Sequence, residues 1–271
     1  MHKISDTKKL NNGVEIPIFG LGVWKAYAKE TYQAVRWALE LGYRHIDTAA
    51  IYGNEVEVGK AIRDSGIARE EIFVTTKLWR DDHSKVGQAF QVSLKKLDIG
   101  YIDLYLSHFP TPEVRISAYK NMQEILKDGS CRSIGVSNYT VKHLKELIAN
   151  CEVVPSVNQV EFHVFLNQKD LLKYCEANSI ALEAYSPLAH GQRLNDPVLI
   201  EVAKKYHCSV AQIMIAWCLH RNLIVIPKTV QKARLAENAA ALALKLSEDD
   251  LQRLEALDEQ LRTCWDPSDV P

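Results

Sequence analysis

Four polar side chains that follow short apolar runs of the sequence have types suited to proton transfer. Asp47 and Tyr52 lie in HIDTAAIYGNE, Lys77 lies in VTTKL, and His108 follows LYLS. A free phenol, with a pKa of about 10, is a weak acid, and a nearby ammonium lowers that pKa. We expect Lys77 to lower the pKa of Tyr52 and Asp47 to keep Lys77 charged. We expect His108 to donate a hydrogen bond to a carbonyl oxygen, so the set lacks only a source of hydride.

A second polar group has the composition of a phosphate site. Lys228, Thr229 and Arg234 lie in IPKTVQKARLAEN, close to the start of a predicted helix. Helix N-termini bind phosphate through free N–H groups, and cationic side chains strengthen that binding. No G-x-G-x-x-G follows the first predicted strand, because FGLGVWK stops short of it. A Rossmann site is therefore not expected, and a dinucleotide would have to bind to another fold.

Apolar runs of strand length alternate with helix-length segments along the whole chain. The runs are FGLGV, HIDTA, IFVTTKL, YIDLYLSH, SIGVSN, SVNQVEF, IALEAYS and LIVIPK. Strands that alternate with helices pair in parallel, and eight such units in 271 residues predict an α/β protein with a (β/α)8 TIM barrel. We see no linker or low-complexity segment, so we interpret residues 1–271 as a single domain.

Turn and capping signals refine this prediction at two places. Asn12-Gly13 predicts an N-terminal β-hairpin that closes the bottom of the barrel. In NEVEVGKAIRDSG, Asn54 is predicted as an N-cap with Glu57 in the capping-box position, and Gly66 is predicted to end the helix.

The carboxyl ends of barrel strands meet at one mouth, where active sites of this fold lie. The polar residues predicted at that mouth are Asp47, Lys77, His108, Ser137, Asn138, Asn158, Gln159, Tyr185, Ser186 and Lys228. Desolvating so many polar groups at one rim costs free energy, which favours a functional interpretation over a purely structural one.

Composition narrows the class of partner. A formal net charge of -1 gives no field that would attract nucleic acid or an acidic membrane surface. No signal peptide or membrane-spanning run is apparent, so we expect a cytoplasmic protein. We also expect a monomer. The six cysteines show no zinc spacing, so we expect no metal site and interpret them as reduced packing residues.

Motifs along almost the whole chain resemble one family. GLGVW, GYRHIDTAAIYGNE, VTTKLW, LYLSHFP, SIGVSN, VNQVEFH, AYSPL and IPKTVQKARLAEN are together similar to the aldo-keto reductases. The similarity is to short microbial members such as diketogluconate reductases, methylglyoxal reductases and prostaglandin F synthase-like proteins. It implies an NADPH-dependent reductase of aldehydes and ketones, with a small carbonyl compound as substrate.

The resemblance also implies a role for individual residues. The catalytic residues would be Asp47, Tyr52, Lys77 and His108, with Tyr52 as the general acid. The residues that would bind NADP+ or NADPH are Ser137, Asn138, Gln159, Tyr185, Ser186, Leu188, Lys228, Thr229, Val230, Arg234, Glu237 and Asn238. Trp24, Trp79 and Phe109 would line the substrate pocket, and no metal would be bound.

The sequence departs from the family pattern at three positions. Phe109 replaces a tryptophan, Val164 replaces a proline, and Ala189 replaces a glycine, so substrate specificity does not carry over. The tail RTCWDPSDVP is short, and we expect a broad, partly open pocket.

Two other functions compete with carbonyl reduction. The first is a non-catalytic NADPH sensor or scaffold of the same fold. The second is a barrel glycosidase that uses Glu161 and Glu183.

Overall fold

An antiparallel hairpin opens the chain, as the Asn12-Gly13 signal predicts. In the computed structural model, which describes all 271 residues, strands β1 (Thr7–Lys9) and β2 (Glu15–Pro17) pair with Lys9 opposite Glu15. Gly13 has φ of 87°, a left-handed conformation that glycine adopts without steric cost. The connecting turn reaches the body of the protein, because Asn12 Nδ2 donates to Ser133 Oγ at 3.0 Å.

Eight parallel strands follow, and they form one continuous sheet. The strands are β3 (Leu21–Gly22), β4 (His45–Asp47), β5 (Phe73–Leu78), β6 (Ile102–Ser107), β7 (Cys131–Ser137), β8 (Val157–Glu161), β9 (Ala181–Tyr185) and β10 (Ile224–Val225). Each strand pairs with the next along the chain. The sheet closes through parallel bridges from Phe19 to Val225 and from Gly22 to Lys228. The predicted (β/α)8 barrel is therefore confirmed.

Ten α-helices accompany the strands. They are α1 (Ala28–Glu40), α2 (Glu55–Arg63), α3 (Val86–Leu97), α4 (Arg115–Lys127), α5 (Val141–Asn150), α6 (Lys169–Ala177), α7 (Pro197–Lys205), α8 (Val210–His220), α9 (Lys232–Ala240) and α10 (Glu248–Glu255). None of the helices is long and apolar enough to cross a bilayer. The cysteines are all free thiols, as the sequence predicts.

The capping box predicted for α2 is wrong. Asn54 precedes the helix but makes no side-chain cap. Its Oδ1 accepts a hydrogen bond from Thr48 Oγ1 at 2.7 Å, and its Nδ2 donates to the carbonyl oxygens of Val23 and Ala26, each at 3.0 Å. Asn54 therefore joins the loops after β3 and β4, which flank Tyr52, and does not cap the helix.

The barrel interior changes from apolar to polar along its axis. At the bottom, the hairpin contributes Leu10 and Ile16 to a buried apolar cluster. The barrel contributes Phe73, Leu104, Leu106, Val157, Ala181 and Ile224 to the same cluster. Buried Asp47, Lys77, Gln159 and Glu183 lie nearer the carboxyl ends of the strands. The hairpin therefore seals the apolar end, and the polar layer lies below the mouth.

Candidate active site

Lys77 connects three of the four residues predicted to do chemistry. Its Nζ lies 2.6 Å from Asp47 Oδ1 and 3.5 Å from Tyr52 Oη, and it also donates to the Thr48 carbonyl at 2.8 Å. Lys77 is completely buried, so it cannot exchange these partners for water. Asp47 ends β4, and Tyr52 lies in the 3-10 turn Ala50–Tyr52 that follows it. The strand and the turn thus place acid, ammonium and phenol in contact.

The ionisation predicted for Tyr52 is wrong in its direction. Burial raises the pKa of Tyr52 well above 10, and the negative charge of Asp47 raises it further. Lys77 Nζ lies 3.5 Å from Tyr52 Oη, yet the net shift of the pKa is upward. The phenol of Tyr52 is therefore protonated at neutral pH.

His108 lies against Tyr52 and Trp79. Its ring meets both in an edge-on arrangement, with centroids 5.8 Å from Tyr52 and 5.4 Å from Trp79. Burial lowers the pKa of His108 well below 6.5, and the positive charge of Lys77 lowers it further. The imidazole is therefore neutral and has one N–H to donate.

The residues after β7 form a connected group with those on β8 and β9. Asn138 has φ of 64°, and its Oδ1 accepts a hydrogen bond from Tyr185 Oη at 2.7 Å. Asn138 Nδ2 donates to the His108 carbonyl at 3.0 Å. Ser137 Oγ donates to the Gln159 carbonyl at 2.9 Å. These bonds hold a polar platform beside the Tyr52 phenol and the His108 imidazole.

Gln159 connects this platform to the polar layer below. Its Nε2 donates to Asp47 Oδ2 at 2.7 Å and to Glu183 Oε2 at 3.1 Å. Asn158, the preceding residue on β8, faces away from the mouth, and its Nδ2 donates to the Tyr139 carbonyl at 2.9 Å. The prediction that Asn158 lies at the mouth is therefore wrong. Adjacent strand residues point to opposite faces, so the two could not both line the site.

The loop after β9 contains the predicted cofactor residues Ser186 and Leu188 and has an unusual backbone conformation. Ser186, Ala189 and His190 have φ of 48°, 46° and 52°, although none is glycine. Leu188 is half-buried, and Ser186 Oγ lies 3.0 Å from His190 Nε2. Ala189, which stands where the family pattern has glycine, thus adopts the left-handed region that glycine favours.

The residues predicted to bind the adenosine end lie after β10 and along α9. Thr229 Oγ1 accepts a hydrogen bond from the Gln231 amide at 3.2 Å and so shapes the helix start. Lys228 and Arg234 are exposed. The neighbouring Lys232 pairs with Glu40 at 2.9 Å. Val230, Glu237 and Asn238 lie on the same loop and helix.

Aromatic side chains surround the mouth. The Trp24 ring stacks on His190, with centroids 5.5 Å apart. Phe109 contacts Trp265 of the C-terminal tail, and Trp79 contacts His108. The structure therefore brings all three predicted pocket residues to the rim and adds Trp265, which the sequence reasoning missed.

The C-terminal tail is fixed by Glu161. Both the amide and the hydroxyl of Thr263 donate to Glu161 Oε1, the amide at 2.8 Å, and the amide of Cys264 donates to Oε2 at 3.1 Å. His163 Nε2 lies 3.1 Å from the same carboxylate. Burial acts to raise the pKa of Glu161, but these hydrogen bonds outweigh it and lower the pKa to about 2. The tail thus lies against the rim of the mouth, where Trp265 contacts Phe109, and a broad, partly open pocket stays a prediction.

The two carboxylates considered for a glycosidase are both inaccessible. Glu161 is 1% exposed and Glu183 is 0% exposed, and their hydrogen bonds serve different parts of the barrel. No carboxylate pair faces the mouth, so the glycosidase interpretation does not hold. Side chains alternate between the two faces of a strand, so the run IALEAYS already indicates that Glu183 shares a face of β9 with Tyr185.

Comparison with known proteins identifies the family. The aldo/keto reductase family model matches residues 18–259. A glyoxal reductase of Bacillus subtilis is 44% identical over 270 residues, which cover 98% of each chain. A methylglyoxal reductase of Escherichia coli is 44% identical, with 96% of each chain covered. The chain belongs to the aldo/keto reductase family.

A solved structure of an aldo/keto reductase supports this assignment in three dimensions. A Bombyx mori aldo-keto reductase, solved in complex with NADP, superposes with a TM-score of 0.90 at 37% identity. The alignment covers 97% of this chain and 95% of that one. Family membership makes this chain an oxidoreductase, which agrees with the polar residues at the barrel mouth.

Proposed function

We propose that this aldo/keto reductase reduces small aldehydes and ketones with NADPH, and that Tyr52 is the proton donor. The observation that carries the proposal is the contact of Tyr52 with Lys77 and with the edge of His108. A carbonyl oxygen bound between the phenol and the imidazole would meet two neutral hydrogen-bond donors. Such donors stabilise the negative charge that develops on the oxygen during reduction.

The ionisation of each group suits its proposed step. Tyr52 must be protonated to act as an acid, and its raised pKa ensures this. Once the proton leaves, Lys77 at 3.5 Å would stabilise the phenolate, an attraction of roughly 4 kcal/mol at an effective dielectric of about 20 before desolvation costs. Asp47 holds Lys77 in place at 2.6 Å. NADPH, when bound, supplies the hydride.

The residues present fit NADPH at both ends. Asn138, Ser137 and Gln159 offer amide and hydroxyl groups beside Tyr185, as the nicotinamide carboxamide and ring require. At the other end, Lys228 and Arg234 are exposed cations near the N-terminus of α9. A 2′-phosphate is recognised well by an arginine fork near free helix N–H groups. The Bombyx mori relative was solved with NADP, which agrees with this assignment.

The substrate class follows from the rim and from the relatives. The aromatic rim made by Trp24, Trp79, Phe109 and Trp265 offers flat apolar surfaces that suit small or flat carbonyl compounds. Two relatives at 44% identity are named as glyoxal and methylglyoxal reductases. We therefore assign small aldehydes and 1,2-dicarbonyls as the substrates to test first.

The test is Tyr52→Phe, which removes the acid and leaves the cofactor site intact. NADPH consumption with methylglyoxal should fall about 10²- to 10⁴-fold, the usual contribution of a positioned general acid, while the NADPH dissociation constant stays the same. Tyr174→Phe is the control, since Tyr174 lies on α6 outside the mouth. Near-normal turnover in Tyr52→Phe would remove Tyr52 from the mechanism. No NADPH consumption by the unaltered protein with any small carbonyl would favour the non-catalytic sensor.

A further inference from the structure

Glu183 is a fully buried carboxyl group that has no role in the proposed reduction. It lies on β9 inside the barrel and is 0% exposed. Its Oε2 accepts a hydrogen bond from Gln159 Nε2 at 3.1 Å, and the same Nε2 donates to Asp47 Oδ2 at 2.7 Å. Its Oε1 has no hydrogen-bond partner. A single amide thus joins Glu183 to the Asp47 carboxylate that holds Lys77.

The charges around Glu183 are too few to neutralise two carboxylates. From β4 it faces His45 and Asp47, from β5 Lys77, and from the turn after β4 the phenol of Tyr52. Lys77 is the one cation, and it binds Asp47 at 2.6 Å.

His45 cannot act as a second cation. Its Nε2 lies 3.6 Å from Glu183 Oε1 and 3.1 Å from Thr75 Oγ1. Burial lowers the pKa of His45 to about 3, so the ring is neutral near pH 7. An unpaired buried carboxylate costs several kcal/mol and takes up a proton instead. Burial, and then the negative charge of Asp47, raise the pKa of Glu183 to about 8. Burial raises the pKa of Asp47 as well, but Lys77 lies 2.6 Å from Asp47 and makes no hydrogen bond to Glu183, so the proton is placed on Glu183.

We propose that Glu183 is a positioning residue that acts as a neutral carboxylic acid, keeping Asp47 and Lys77 the only charged pair beneath Tyr52, and that its ionisation sets the alkaline limit of carbonyl reduction. The proposal rests on the proposed function. An ionised Glu183 would compete with Asp47 for Gln159 and Lys77. It would also destabilise the phenolate that remains on Tyr52 after proton transfer.

The first experiment compares pH profiles of turnover at saturating NADPH and methylglyoxal. Turnover of the wild type should fall as pH rises through about 8, and the Glu183→Gln profile should lack that fall. The ratio of kcat at pH 9 to kcat at pH 7 should therefore be about tenfold higher in Glu183→Gln than in the wild type. The reason is that pH 9 lies about one unit above the pKa of Glu183, where only about a tenth of the carboxyl groups keep the proton. Glu183→Asp keeps the carboxyl group and should keep the alkaline fall. Asp103→Asn, which alters a buried carboxylate near the start of β6 and away from the mouth, should leave the ratio unchanged.

A second experiment reports on the proton itself and does not depend on turnover. The infrared carbonyl band of a protonated carboxylic acid should be present in wild type at pH 7, absent in Glu183→Gln, and lost in wild type by pH 9.5. Absence of this band at pH 7, or an alkaline fall with the same midpoint in Glu183→Gln, overturns the proposal. If the band is present but the wild type reduces no carbonyl compound, the proposed function fails and the catalytic role of Glu183 fails with it.

Discussion

The Tyr52 phenol and the His108 imidazole at the mouth are both neutral, and burial is the main reason. The pKa of Tyr52 lies well above 10 and that of His108 well below 6.5. Neither group changes its charge between pH 5.5 and 7. We therefore expect kcat for carbonyl reduction to be flat across this range when measured at saturating substrate. A titration midpoint between pH 6 and 7 that disappears in His108→Gln would show that His108 ionises during the reaction.

Arg234 should decide the choice between NADPH and NADH. The two cofactors differ by the 2′-phosphate, and a hydrogen bond to a charged group contributes roughly 1.5 to 3 kcal/mol. Arg234→Ala should therefore weaken NADPH binding roughly tenfold to a hundredfold, with little change for NADH. Turnover at saturating NADPH should fall far less. Fluorescence titration with each cofactor measures the two dissociation constants.

Lys232→Ala is the matched control for Arg234→Ala. It removes a cation from the same helix turn, but Lys232 pairs with Glu40 at 2.9 Å, so its loss should affect both cofactors slightly. Equal weakening toward NADH and NADPH in Arg234→Ala would mean that Arg234 supports the helix or the pyrophosphate. A wild-type preference for NADH would contradict the assignment of NADPH.

At the level of the elements, the tail depends on one carboxylate. Glu161 receives hydrogen bonds from the amides of Thr263 and Cys264, and its pKa is lowered to about 2, so it is charged at all working pH values. Hydrogen bonds to a charged acceptor are roughly twice as strong as neutral ones. Fixing Thr263 and Cys264 in this way also positions Trp265 against Phe109.

Glu161→Gln should therefore loosen the tail without disturbing the cofactor end. We expect KM for methylglyoxal to rise several-fold, and the dissociation constant of NADPH to stay within about twofold, since a charge-assisted bond contributes roughly 1.5 to 3 kcal/mol. Glu259→Gln, which breaks an exposed ion pair with Arg193, should change neither. An unchanged KM in Glu161→Gln would show that the tail does not form part of the substrate pocket.

The acid stability of the protein should also report on Glu161. Its pKa is lowered in the folded state, so its contribution is present above the unfolded value, near 4.3, and is lost as pH falls toward about 2. The slope of unfolding free energy between pH 5 and 3 should be smaller in Glu161→Gln than in wild type. Urea unfolding at several pH values measures that slope. An identical slope would show that the carboxylate gains no stability from Thr263 and Cys264.

Sequence pattern predicted the elements well and their side-chain contacts less well. Alternation of apolar runs placed all eight barrel strands, because burial between helices dictates that pattern. The role of Asn54 was missed, because its partners are backbone carbonyls of Val23 and Ala26, distant in the sequence. The anchoring of the tail was missed for a similar reason, since Glu161 lies about a hundred residues before Thr263.

Across the whole molecule, the barrel separates stability from chemistry along its axis. The hairpin and the lower ends of the strands supply the apolar cluster, and the polar layer of Asp47, Lys77, Gln159 and Glu183 lies above it. Charged groups in the interior cost free energy, so the apolar packing beneath them has to offset it. Substitutions in the apolar cluster at the bottom of the barrel should therefore lower the free energy of unfolding, and substitutions at the mouth should lower turnover.

Ile16→Ala tests this separation. Ile16 on β2 is 0% exposed within the bottom cluster, and removing a large buried aliphatic side chain typically costs 2 to 5 kcal/mol. We expect the urea midpoint to fall accordingly, while KM and the NADPH dissociation constant of the remaining folded protein stay unchanged. Val92→Ala, at a side chain that is 51% exposed on α3, should leave the midpoint almost unchanged. A large loss of turnover in folded Ile16→Ala would show instead that the hairpin positions the polar layer, and that closing the barrel and arranging the catalytic groups are coupled.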